Sequence, residues 1–128
     1  MRLLLDTHAF IWWNGEEERL SDRARAAVTD PTNEVVVSAI TAWEIVIKAT
    51  LGRLKLDEPP DVYVASRIRE NSFEALPFTV EHAARVAGLP NLHRDPFDRA
   101  LVAQAAMEAL PLVTADPIVR SYPIATYW

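Results

Sequence analysis

The chain has 128 residues, which suits one domain on the usual scale of about 100–200 residues per domain, so 1–128 is expected to form a single unit. Half its residues are hydrophobic and 24% are charged, a globular balance that excludes intrinsic disorder. It has no cysteine, so disulfide scaffolds and thiolate metal sites are excluded, and a net charge of −5 counts against a broadly basic nucleic-acid-binding surface.

Eighteen acids stand against three histidines, His8, His82 and His93. Carboxylate oxygen is therefore the main ligand chemistry available, and it suits a hard cation such as magnesium or manganese. The apolar run before Asp6 is too short for a signal peptide. No segment approaches the roughly 20 apolar residues of a membrane span, so a soluble, cytoplasmic chain is expected.

In chain order, Arg2 to Leu5 is a short apolar run, as in a buried parallel strand. Ala9 to Trp13 supplies the helical turns after it. Ser21-Asp22 caps a helix running to about Thr29, and Asp30-Pro31-Thr32-Asn33 is a turn. Val35 to Val37 is a second buried strand. A helix from about Ala39 to Leu51 follows, with Trp43, Ile47 and Leu51 on one face, and Gly52 ends it. Pro59-Pro60-Asp61 opens a helix over roughly Val62 to Asn71, and Phe73 to Leu76 is a third strand. Thr79 caps a helix closed by Gly88-Leu89-Pro90. Asp95-Pro96-Phe97-Asp98 is a strong start for a helix to about Ala109. Pro111 to Thr114 is a fourth strand, Asp116-Pro117 opens a last short helix, and Ile124 to Trp128 is a candidate edge strand.

Strands alternating with helices predict an α/β three-layer sandwich around a parallel sheet. Right-handed crossovers then put every strand C-terminus on one sheet edge, where ligands bind in such folds. Asp6 ends the first strand and Asp116 follows the fourth. Glu44 lies in the second turn of the helix after Val35–Val37. Asp98 reaches the same edge if its helix starts there and runs antiparallel to the strands. Such a cluster of carboxylates repels itself unless a divalent cation binds, and bound metal can activate water against a phosphodiester. Each acid also has a structural explanation. Asp95 is a good N-cap before Pro96, Asp98 can complement the helix dipole, Asp116 can cap before Pro117, and Glu44 can be a solvated helix residue. Asp6, next to the core, is the hardest to explain without a partner.

At these residues the chain resembles a known family. Leu4-Leu5-Asp6-Thr7-His8, Ser38 to Ile45, His93-Arg94-Asp95-Pro96-Phe97-Asp98-Arg99 and Val113-Thr114-Ala115-Asp116 resemble the PIN-domain ribonucleases, in particular the VapC-type toxins of type II toxin–antitoxin pairs. The resemblance spans essentially the whole chain in matching order, and the stretch from His93 to Gln104 is its most specific part. It implies a sheet of about five parallel strands and a magnesium or manganese site held by Asp6, Glu44, Asp98 and Asp116. Asp95 is a second-rank acid, and Thr7 and Thr114 are expected to orient carboxylates or water through their hydroxyls. It also implies a homodimer, a protein antitoxin laid across the acidic groove, and hydrolysis of single-stranded RNA by metal-activated water.

Among basic residues, Arg94 and Arg99 are candidates either to contact RNA phosphates or to pair with Asp95 and Asp98, and Lys48 either to track an RNA backbone or to end a helix in solvent. His8 and His93 flank the acids, and polar positions at loop or helix starts explain them more simply than substrate contact. Trp12, Trp13 and Trp43 suit base stacking, a dimer or antitoxin surface, or core packing. Rival functions are a PIN-like RNA-processing nuclease outside a toxin–antitoxin pair, a metal-dependent phosphatase, and a non-catalytic interaction module. Asp6 is followed by Thr7-His8 rather than a second Asp, which argues against the phosphatase. The complete acid set argues against the module.

Overall fold

A computed structural model describes residues 1–128 and contains one five-stranded, fully parallel sheet. The strands are β1 (Arg2–Leu5), β2 (Glu34–Ser38), β3 (Glu74–Leu76), β4 (Leu112–Val113) and β5 (Thr126–Tyr127), in the order β3-β2-β1-β4-β5. Six α-helices connect them: α1 (Thr7–Trp13), α2 (Asp22–Thr29), α3 (Ala39–Thr50), α4 (Pro60–Glu70), α5 (Val80–Arg85) and α6 (Pro96–Glu108). None is long and apolar enough to cross a membrane.

Side chains alternate across a strand, so a strand apolar at every position needs cover on both faces. Leu3 and Leu5 of β1, Val35 and Val37 of β2 and Val113 of β4 face a core with Phe10, Ala24, Val28, Ile45, Tyr63 and Val64. Leu4, Val36 and Leu112 face the opposite core, which α6 fills with Ala100, Leu101, Val102 and Ala105. The three layers expected from the alternation of strands and helices are thus present.

A buried polar network ties the second core to the sheet. Gln104 of α6 is fully buried, accepts a hydrogen bond from the Ser38 hydroxyl at the end of β2, and donates one to the Pro77 carbonyl at 3.1 Å. Ser38 also caps α3, accepting from the Ile40 amide at 3.0 Å. One set of bonds therefore fixes α6 relative to the start of α3, the two helices that carry Asp98 and Glu44.

Two local features depart from the sequence-based expectation. The face of α3 bearing Trp43 and Leu51 is the outer one, and its inner face is Ile40, Thr41, Glu44 and Ile45. Asp116-Pro117 opens a turn followed by a single 3-10 turn at Val119–Ser121 rather than an α-helix. Gly52 adopts φ +73° just after α3, a conformation glycine takes without the steric cost a Cβ imposes.

Candidate active site

Parallel pairing puts the C-terminal ends of β1, β2 and β4 side by side, and the acids sit there. Asp6 directly follows β1 and is 6% exposed. Its Oδ1 accepts the Ala9 amide at 2.7 Å, making it the N-cap of α1. This capping duty gives Asp6 a local partner that the sequence did not suggest. Burial pushes the Asp6 carboxyl above its ordinary range, against the lowering effect of hydrogen bonds from the Thr114 side chain and the Ala9 amide. The negative charge of Glu44 adds to the upward push.

Glu44 is 2% exposed on the inner face of α3, so it is no solvated helix residue. The Thr7 hydroxyl donates to its Oε1 at 2.7 Å and lies 3.1 Å from the Thr41 hydroxyl. Lys48, one turn along α3, pairs with its Oε2. That pairing occupies the Lys48 ammonium, which sequence reasoning left open between an RNA contact and a solvated helix end.

Asp98 stands in the first turn of α6, and its oxygens accept no backbone hydrogen bond. Its side chain is 21% exposed. Burial pushes its carboxyl up to about 7, and the charges of Asp95, Glu44 and Asp6 add to the effect while His93 opposes it. Asp98 therefore makes no capping bond, and the N-cap of α6 is the residue the sequence pointed to, Asp95. The Asp95 Oδ1 accepts the Phe97 amide at 2.8 Å.

Asp116 receives the Ile118 amide at 2.8 Å and the Val119 amide at 3.4 Å on Oδ1. Partial burial would raise its carboxyl, but the hydrogen bond from His93 and these two amides outweigh it and hold the group low. The Thr114 hydroxyl is buried and accepts the Asp116 amide at 3.1 Å.

His93 is the residue that sequence reasoning undervalued. Its Nε2 lies 3.0 Å from Asp116 Oδ2 and 3.2 Å from Asp98 Oδ2. Its Nδ1 accepts the Asp95 amide at 3.1 Å, which leaves the ring proton on Nε2, facing the two carboxylates. His93, Asp98 and Asp116 offer ligand atoms within 4.8 Å of one another. With its proton on Nε2, however, the imidazole serves as a donor between the acids, and the free ligand atoms there are oxygens. Its place in the most specific stretch of the sequence was the available signal.

Of the two arginines, Arg99 pairs with neither neighbouring acid. Arg99 turns away from the acids and donates to the Pro90 and Val86 carbonyls and the Tyr122 hydroxyl, at 2.9, 3.3 and 3.1 Å. It braces the segment before α6 and pairs with neither Asp95 nor Asp98. Arg94 is exposed. Trp13 donates its indole N–H to Asn71 at 3.0 Å, and Trp43 is exposed with its ring 5.1 Å from Phe97, edge to face.

Residues 3–124 match the family model described as PIN domain. The chain is 32% identical over 123 residues to Ribonuclease VapC22 of Mycobacterium tuberculosis, covering 94% of this chain and 91% of that relative. It is 38% identical over 74 residues to Ribonuclease VapC16 of the same organism, covering 55% and 51%. Its fold is similar to VapBC2 from Rickettsia felis, solved bound to a DNA fragment from their promoter, with a TM-score of 0.70, 14% identity and full coverage of both chains. It is also similar to FitAcB from Neisseria gonorrhoeae, with a TM-score of 0.66, 21% identity and coverage of 100% and 97%.

Proposed function

The chain belongs to the PIN-domain family and is related to the VapC ribonucleases, and on that premise we propose that it is a metal-dependent endoribonuclease acting as the toxin of a toxin–antitoxin pair. Single-stranded RNA is the substrate, and Asp6, Glu44, Asp98 and Asp116 hold magnesium, with manganese as the alternative. The observation that carries this reading is the gathering of Asp6, Glu44, Asp98 and Asp116 at the C-terminal ends of the strands, and the raised carboxyl of Asp98 agrees with it. A carboxyl raised to about 7 by burial and by three neighbouring acids marks excess negative charge that the protein itself does not neutralise. The donor set fits a hard cation, because the open ligand atoms are carboxylate oxygens and the one imidazole nearby presents an N–H.

When bound, the metal would orient the phosphodiester and lower the pKa of water at the scissile phosphorus. The chain's own residues hold the acids ready for it. The Ala9 amide fixes Asp6, while Thr7 and Lys48 fix the two oxygens of Glu44. The Ile118 and Val119 amides fix one oxygen of Asp116, and His93 spans from the other to Asp98. Asp95 sets the start of α6 and positions the ring of His93 through its amide.

The proposal includes a protein antitoxin and a homodimer. A structurally similar protein is a toxin–antitoxin complex from Klebsiella pneumoniae, with a TM-score of 0.55 and 21% identity. The exposed apolar side chains Trp43, Val46 and Val62 on α3 and α4 suit burial against another protein. The direct test incubates the purified chain with labelled single-stranded RNA in magnesium and again in chelator. Cleavage with magnesium and none with chelator is expected. Cleavage that survives the chelator, or none in either condition, overturns the reading.

A further inference from the structure

One group of side chains beside the acids has no part in holding them. His8 and Trp12 are four residues apart on α1 and so share a face. Their rings lie 5.6 Å apart at 34°, and His8 is exposed. Trp128, just beyond β5, supports Trp12 edge-on at 6.0 Å. Arg19, from the 3-10 turn Glu17–Arg19, lays its guanidinium over the Trp12 ring at 4.6 Å.

His8, Trp12 and Arg19 line two adjoining concavities of about 320 Å³ each. The first reaches Asp6 and Asp116. The second continues to Lys48 and Arg53. Together they make a groove that leaves the acid cluster, passes two aromatic rings and ends at Glu16, Lys48 and Arg53, where Lys48 is held by Glu44 and Arg53 is the unpaired cation. Arg53 is exposed and forms no ion pair. Arg19 pairs only with Glu16 at 3.3 Å, and both side chains are about half exposed, so that pair is easily exchanged for another anion.

We propose that this groove seats the single-stranded flank of the RNA, with bases stacking on His8 and Trp12 and backbone phosphates meeting Arg19 and Arg53. The proposal rests on the ribonuclease function above. A chain of net charge −5 repels a polyanion, and cations gathered along one path from the acids supply a local reversal of sign. An aromatic platform accepts any base, because every base has a π face, but only when that base is unpaired. A basic protein segment drawn to the acids would meet Arg19 and Arg53 as like charges, so RNA fits this groove better than such a partner.

Steady-state cleavage of a labelled single strand of about ten nucleotides, across a salt series, tests the assignment. The variant Arg19→Gln/Arg53→Gln changes exposed side chains and should fold normally. It should raise KM and flatten the salt dependence of log(kcat/KM) by about 0.7 per lost phosphate contact, or about 1.4 in all. Trp12→Leu should lower kcat/KM roughly 5- to 150-fold through KM, the scale of one lost base stack. A duplex of the same sequence should be a poor competitor. Wild-type cleavage with KM and salt slope unchanged in the double-arginine variant overturns the groove alone, and is the result expected if the strip serves a protein partner. Trp12→Leu packs against the core, so should it fail to fold, the arginine variant still decides. Absence of cleavage by the wild type overturns the ribonuclease function, and the groove with it.

Discussion

Asp98→Asn should make the metal-free protein more stable at neutral pH while abolishing its activity. The Asp98 carboxyl stands near 7 in the folded chain and near 3.9 when unfolded. A raised acid binds its proton more tightly in the folded state, so stability is greatest below the unfolded value and falls as pH rises from about 4 to about 7. At 1.36 kcal/mol per unit, a difference of about 3 units costs the folded chain about 4 kcal/mol above pH 7, as an upper value. Asparagine carries no charge and can still accept the His93 Nε2–H through its amide oxygen. For a domain of this size, 1 kcal/mol moves Tm by roughly 3–5 °C, so the variant should melt up to about 10–20 °C higher at pH 8 in chelator. The gain should vanish at pH 4, where both forms are neutral at this position. Calorimetric melting of both proteins from pH 4 to 8, without metal, reads the effect. Equal Tm values at pH 8, or parallel pH profiles, would refute the idea that uncompensated charge is concentrated at Asp98.

Other changes separate the parts that hold the acids. Thr7→Val removes the donor to the buried Glu44 Oε1, and should cost about 1–3 kcal/mol in urea unfolding and reduce cleavage, with Thr7→Ser restoring both. His93→Ala should lower activity or metal affinity roughly 10–100-fold, while His93→Gln, which keeps an N–H donor, recovers part of it. If the alanine variant binds metal and cleaves like the wild type, His93 does not organise the acids. Gln104→Leu strands the Ser38 hydroxyl and the Pro77 carbonyl, so denaturant titration should show a loss of about 1–3 kcal/mol per orphaned group, with activity falling as α6 shifts relative to α3. Wild-type stability in that variant would show that the network does not fix the two helices.

Much of this architecture was legible because local signals agree with the global fold. Arg2–Leu5 and Asp22–Thr29 form where composition and the Ser21 cap place them, and α6 begins where Asp95-Pro96 says it must. The strand order β3-β2-β1-β4-β5 was not legible, since it depends on which distant segments pair. The inner face of α3 misled because Thr41 and Glu44 are polar yet buried, while Trp43 and Leu51 are apolar yet exposed. Burial there follows the needs of the acid cluster rather than the hydrophobic pattern. The Phe97 amide on Asp95 matches the N-cap read from Asp95-Pro96, whereas the approach of the His93 ring to Asp98 depends on loop geometry that spacing does not specify. Lys48 and Arg99 have partners, Glu44 and the carbonyls before α6, that sequence spacing alone did not single out from the alternatives.

The central claim is that Asp6 belongs to a metal site that cleaves RNA, and not only to the cap of α1. Asp6→Asn keeps an oxygen to accept the Ala9 amide, so the cap and the fold should survive, as melting and circular dichroism can show. The decisive measurement is magnesium-dependent cleavage of single-stranded RNA by that folded variant. Loss of cleavage with a near-native or raised Tm is the predicted result, and wild-type cleavage by Asp6→Asn would contradict the account.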